Sequence, residues 1–101
     1  MEMVILSGKI MSEPETKTDK NGNHYIRFRV SCLKKRGNEE KYTIYRCYSY
    51  NTAEFSDAKM GDSIFLAGDL DITRREDSNG TVWTNNDVYV KQVSIIRSTR
   101  K

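Results

Sequence analysis

Long apolar runs are missing from this chain. No stretch approaches the roughly 20 residues of a membrane-spanning helix. The start, MEMVILSGKI, has neither a basic region nor an extended apolar segment, so no secretory signal is expected there and a cytoplasmic location is the default expectation. Without secretion the sequon-like Asn79-Gly80-Thr81 carries no meaning. Histidine is nearly absent, with His24 standing alone as an expected surface residue. The two cysteines, Cys32 and Cys47, form no CxxC pair, which excludes the usual zinc-ligand spacings. Both are expected as reduced core thiols. A cross-strand disulfide stays open only if residues 24–50 form a hairpin that brings them together. Neither a phosphate-cradling glycine loop nor a nucleophile–histidine motif occurs. No catalysis, cofactor or metal is therefore expected.

What is present is short and polar. A length of 101 residues predicts one domain, residues 1–101. Hydrophobic residues make up 37% and charged residues 31%, the polar end for a folded domain, yet short apolar runs recur throughout. The net charge is only +3, so composition alone does not point to nucleic acid. Its distribution says more. Residues 24–50 carry Arg27, Arg29, Lys34, Lys35, Arg36, Lys41 and Arg46 against Glu39 and Glu40. Residues 54–87 carry eight carboxylates against Lys59, Arg74 and Arg75. The C-terminal stretch adds Lys91, Arg97, Arg100 and Lys101. Such asymmetry predicts one basic surface.

The periodicity is that of strands. Val4, Ile5, Leu6, Gly8 and Ile10 mark a first strand. A polar stretch around Pro14 ends in the turn signal Lys20-Asn21-Gly22-Asn23. In HYIRFRVSCLK, Ile26, Phe28, Val30 and Cys32 alternate with Tyr25, Arg27, Arg29 and Ser31, giving an apolar face and a basic one. KKRGNEE is expected as a charged loop, with Gly37 free to take positive φ. KYTIYRCYSY holds four of the six tyrosines. Its residue types favour a strand, which turns Thr43, Tyr45, Cys47 and Ser49 inward and Tyr42, Ile44, Arg46, Tyr48 and Tyr50 outward. A short helix is expected to start at Asn51-Thr52 and to end near Met60-Gly61. SIFLAGDLDITRRE predicts a long strand with Ile64, Leu66, Leu70 and Ile72 inward and a bend or bulge at Gly68. Asp77-Ser78-Asn79-Gly80 makes a hairpin turn into VWTNNDVYVKQVSIIR, whose apolar positions are Val88, Val90 and Val93. Five strands with a helix between the third and fourth are the arrangement of an all-β oligonucleotide/oligosaccharide-binding (OB) barrel.

The order of these segments resembles the bacterial and phage-type single-stranded DNA-binding proteins. VILSGKIMSEPETKTDKNGNHYIRFRV is similar to that family's opening, MGDSIFLAGDLDITRRE to its fourth strand, and SNGTVWTNNDVYV to its hairpin and last strand. The resemblance implies an OB fold and sequence-independent binding of single-stranded DNA in replication, recombination or repair, with RNA left open. It also implies a homo-oligomer, tetramer or dimer, and contact with replication proteins. Family aromatics late in the third strand stack on bases, and Tyr48 and Tyr50 occupy that region. Ile44 stands where the family has a tryptophan, with Tyr42 as a substitute. Arg75 stands near another aromatic position, with Trp83 across the hairpin. The family's disordered tail with an acidic tip has no counterpart in IIRSTRK, so the chain resembles a short tail-less form or is truncated. Primosomal replication protein N, a dimeric OB protein of similar length, is a related resemblance.

Binding of this kind needs a basic groove for phosphates and flat side chains for bases. The expected contacts are Tyr42, Arg46, Tyr48 and Tyr50 on the third strand, Arg27 and Arg29 on the second, Lys34-Lys35-Arg36 beside them, and Arg74, Arg75 and Trp83 on the last hairpin. The alternative for the rings is packing alone, since cross-strand aromatic pairs stabilise sheets without a ligand. Phe65 is expected outward, where it serves an interface equally well. Other function classes are an OB module that binds protein and, more weakly, a metal-dependent nuclease built on Asp69 and Asp71, which share a strand face.

Overall fold

The computed structural model describes residues 2–97, without the side chains of Lys34, Lys35 and Arg36. Arg100 and Lys101, counted above in the basic C-terminal stretch, lie outside the described residues. Six strands follow in order: β1 (Glu2–Ile10), β2 (Glu15–Thr18), β3 (His24–Arg36), β4 (Glu39–Ser49), β5 (Ser63–Glu76) and β6 (Val82–Ile96). One 3-10 turn, Thr52–Phe55, lies between β4 and β5. Strand β1 pairs with β5 along its length and with β3 at its end, so β1-β5-β6-β4-β3 closes into a barrel and β2 lies outside along β3. All pairs are antiparallel except β4–β6. This circuit is the OB barrel.

Closure needs two backbone approaches that a side chain would block. At Gly8, where β1 crosses onto β3, a Cβ would run into the Ser31 carbonyl. At Gly68 a Cβ would run into the Tyr89 carbonyl. There the β5–β6 register shifts between Ala67 and Gly68, leaving Lys91 as the extra residue of a β-bulge. The interior follows from alternation: Ile26, Phe28, Val30 and Cys32 from β3, Tyr45 and Cys47 from β4, Ile64 and Leu66 from β5 and Val88 from β6 are all buried. The two predicted turns form as expected. Asp19 and Asp77 each accept two backbone N–H bonds within their turns, at 2.9 Å.

Several expectations are corrected. The polar stretch after Pro14 contributes the extra strand β2, because Glu15–Thr18 meets the open edge of β3. KKRGNEE is not a loop: both strands run on to a tight turn at Gly37-Asn38, with Arg36 opposite Glu39. The short helix is a single 3-10 turn, and Asn51 makes no side-chain cap. Its chain leaves early because Phe55 enters the core against Phe28, ring centroids 4.7 Å apart, while Gly61 and Asp62 bond the backbone of Ile10. Ile72 is 56% exposed, not inward, since the β5–β6 hairpin has by then risen clear of the barrel. Cys32 lies opposite Thr43 and Cys47 opposite Phe28, an offset of four residues or about 13 Å along the strands, beyond disulfide reach. Both thiols are buried and neither is in a disulfide.

Candidate nucleic-acid interface

The outer face of the barrel is built from cross-strand rows. One row reads Asp69 (β5), Tyr89 (β6), Tyr48 (β4), Arg27 (β3) and Glu15 (β2). The next reads Asp71, Asp87, Arg46 and Arg29. Charge is therefore graded across one face, acidic on β5, aromatic in the middle and basic on β3. The predicted basic and acidic segments meet on the same curved surface.

The centre is a continuous line of four rings. Tyr50 lies 5.4 Å from Tyr25, Tyr25 lies 6.2 Å from Tyr48, and Tyr48 stacks on Tyr89 at 5.4 Å and 23°. Tyr25 and Tyr48 are half-buried, and Tyr50 and Tyr89 are more exposed. Two hydroxyls are anchored on carboxylates: Tyr50 donates to Asp19 at 3.0 Å and Tyr48 to Asp87 at 3.2 Å. The first bond raises the Tyr50 phenol above its ordinary pKa, while burial does most to raise that of Tyr48.

The predicted cations divide by partner. Arg46 makes a two-point bond to Asp87, 2.7 Å from Nε and 2.9 Å from Nη2. That bond holds its pKa above the ordinary arginine value. Arg27 reaches Glu15 at 3.3 Å, at a well-exposed site. Arg29 is exposed and its guanidinium has no ion pair among the described residues. Arg27, Arg29, Arg46 and Tyr48 border a polar cleft of about 280 Å³ closed by Ser12, Glu13 and Glu15. A larger cleft, about 470 Å³, lies beside Phe65 and Lys91 and holds none of the tyrosines.

Two hairpin arms flank the rings. On the β3–β4 arm Tyr42 is 62% exposed and sits opposite Leu33. The side chains of Lys34, Lys35 and Arg36, on the same arm, lie outside the described set. On the β5–β6 arm Arg75 is opposite Trp83, which is half exposed. Arg74 is opposite Thr84, so the strand pleat sends it to the other side of the ribbon. Asp69 is engaged with Lys91 at 3.5 Å. Among the described residues no group of three or more His, Cys, Asp or Glu is placed to hold a metal ion.

Tyr25, Tyr89 and Asp87 were not among the sequence candidates. Tyr25 was legible, since it alternates with Arg27 and Arg29. Tyr89 and Asp87 alternate outward around Val88, but only the parallel β4–β6 pairing puts them beside Tyr48 and Arg46.

The fold has close counterparts. A small single-stranded DNA-binding protein from Streptomyces coelicolor superposes with a TM-score of 0.74 at 16% identity, covering 92% of each chain. A Plasmodium falciparum protein of the same kind, solved in complex with single-stranded DNA, gives 0.68 at 16% identity, covering 98% of this chain and 96% of that one. A mitochondrial single-stranded DNA binding protein from S. cerevisiae gives 0.68 at 15%, covering 97% of both. At such identities these likenesses speak for the fold alone. A comparison with curated proteins found no match. The model of the single-strand binding protein family matches residues 1–96. Nearly the whole described barrel lies within that match, and the chain belongs to the single-strand binding protein family.

Proposed function

We propose that the chain binds single-stranded DNA without sequence choice, and without catalysis, on the outer face of β3, β4 and β6. The observation that carries this is the four-ring line Tyr50–Tyr25–Tyr48–Tyr89 with Arg27 and Arg29 along one side. Bases have π-faces whatever their identity, so rings give affinity without reading sequence. Phosphates follow the β3 side, because Asp71, with Asp69 partly offset by Lys91, repels them from the β5 side. The arms extend the platform through Tyr42 on one side and Arg75 with Trp83 on the other, with Lys34, Lys35, Arg36 and Arg74 adding charge. A single OB domain of this kind serves replication, recombination or repair wherever strands are exposed, alone or with replication proteins. The buried cysteines, not joined in a disulfide, fit a reducing cytoplasm. No helix among the described residues is long and apolar enough to cross a membrane. Met3, Ile5 and Phe65 expose apolar side chains on β1 and β5 that support a homodimer or tetramer.

The test is a titration with oligo-dT at two salt concentrations, read by tyrosine and tryptophan fluorescence, with the mass of the free protein measured alongside. Quenching that weakens in high salt is expected, at a mass of two or four chains. Absence of quenching or mobility shift with any single strand overturns the proposal. An oligo-rU arm decides whether RNA is accepted, and magnesium-dependent loss of the oligonucleotide points to a nuclease.

A further inference from the structure

We propose that Asp87 is a positioning residue: it holds the Tyr48 ring against Tyr89 and occupies the Arg46 guanidinium, so that Arg46 is not one of the phosphate contacts. The inference rests on single-stranded DNA binding at this face. Arg29 and Arg46 are direct neighbours in one cross-strand row, yet their surroundings differ. Arg29 is exposed and forms no ion pair among the described residues. Arg46 delivers two N–H groups to the two oxygens of Asp87, and the Tyr48 hydroxyl adds a third donor. The Asp87 side chain is 12% exposed, against 40% for Arg46. Fork-to-fork arginine–carboxylate bonds are strong and geometrically fixed. To turn the same fork onto a phosphate, Arg46 would have to leave that bond and strand a nearly buried carboxylate directly opposite Asp71, and its remaining N–H groups carry a charge that Asp87 already offsets. The same carboxylate that satisfies Arg46 fixes the Tyr48 ring before any base arrives, so less side-chain freedom is lost on binding. Asp87 thus separates the two tasks of the row, with stacking at Tyr48 and phosphate contact at Arg29.

The experiment measures how oligo-dT affinity depends on salt in the full chain. For single strands the slope of log K against log salt changes by about 0.7 per phosphate contact. Asp87→Asn releases Arg46 and is expected to steepen the slope by about 0.7. Adding Arg46→Gln to it returns the slope to the wild-type value, while Arg29→Gln alone flattens it by about 0.7. In high salt, where the phosphate contribution is suppressed, both Asp87 variants bind about 2- to 3-fold more weakly, because a neutral amide oxygen anchors the Tyr48 hydroxyl less strongly than the carboxylate does. A carboxylate with a purely structural role leaves the slope unmoved. The proposal is overturned by an unchanged slope in Asp87→Asn, or by a double variant about 0.7 flatter than wild type, which would place Arg46 on a phosphate already. If Asp87→Asn fails to fold by circular dichroism, the double variant, which removes both charges, carries the test. A wild-type chain that gives no quenching at all defeats DNA binding itself, a different outcome from either.

Discussion

A ring that is to receive a base contributes most when it is already held in place. Strand β4 holds two in this way, with the hydroxyls of Tyr48 and Tyr50 tied to Asp87 and Asp19. Changing both tyrosines to alanine is expected to cost about 2–6 kcal/mol of oligo-dT binding, at 1–3 kcal/mol per stacked base. The barrel itself should stay folded, since neither ring belongs to the buried core. Titration and circular dichroism on the same preparation check both statements, and an unfolded double variant would assign those rings to packing instead. Inward from this surface, burial pushes the Cys47 thiol well above its ordinary range and also raises the Tyr45 phenol. Each group is favoured neutral in the folded chain. Their contribution to stability is therefore complete below the unfolded values, about pH 8.5 for the thiol and about 10 for the phenol, and is lost as pH rises toward the raised folded values. Urea unfolding midpoints should fall steadily between pH 8 and 11, and a flat profile would contradict that.

At the scale of elements, the β5–β6 bulge sets the platform. Its extra residue, Lys91, keeps both Val93 and Val88 inward, opposite Leu66 and Leu70, so that Tyr89 faces out beside Tyr48, and Gly68 makes room for the Tyr89 carbonyl. Gly68→Ala forces that backbone away. The expected cost is about 1–3 kcal/mol of stability, with weaker stacking as Tyr89 shifts from Tyr48. At about 4–8 °C per kcal/mol for a chain of this size, a thermal melt resolves the change. A melt identical to wild type would show that the bulge relaxes freely. Beyond the barrel the two arms have no core beneath them, which is why Ile72, Tyr42 and Trp83 are exposed. Exposure of large side chains there costs little folding energy and leaves them free for a ligand.

For the whole molecule, the small net charge of +3 conceals a gradient across one face. Basic β3 and acidic β5 lie on either side of the rings because the closed circuit places β4 and β6 between them. On the proposed interface a strand of DNA would meet a surface that attracts its phosphates on one side of the rings and repels them on the other. Only cations without acid partners count fully in that attraction, and ion pairs remove several: Arg97 is matched by Asp57 at 2.6 Å and Lys91 by Asp69. Local cation number thus overstates the salt dependence the chain should display.

Strand type, the inward and outward sets, the Gly-containing turns and the barrel order were legible in the chain itself. Period-two alternation and turn chemistry are properties of one short stretch of backbone, and HYIRFRVSCLK or KYTIYRCYSY carries them without help from its neighbours. The end of the 3-10 turn, the extra strand β2 and the exposure of Ile72 were not, since each depends on where another segment stops. The candidate site divides in the same way. Tyr48, Tyr50, Arg27 and Arg29 follow from alternation, whereas the partners of Tyr48 and Arg46 lie 39 and 41 residues further on. Sequence by itself determined which side chains leave the barrel surface. Only the tertiary structure decided that Asp87 meets Arg46 while Arg29 remains open, because the parallel β4–β6 pairing that joins them exists only once the barrel has closed.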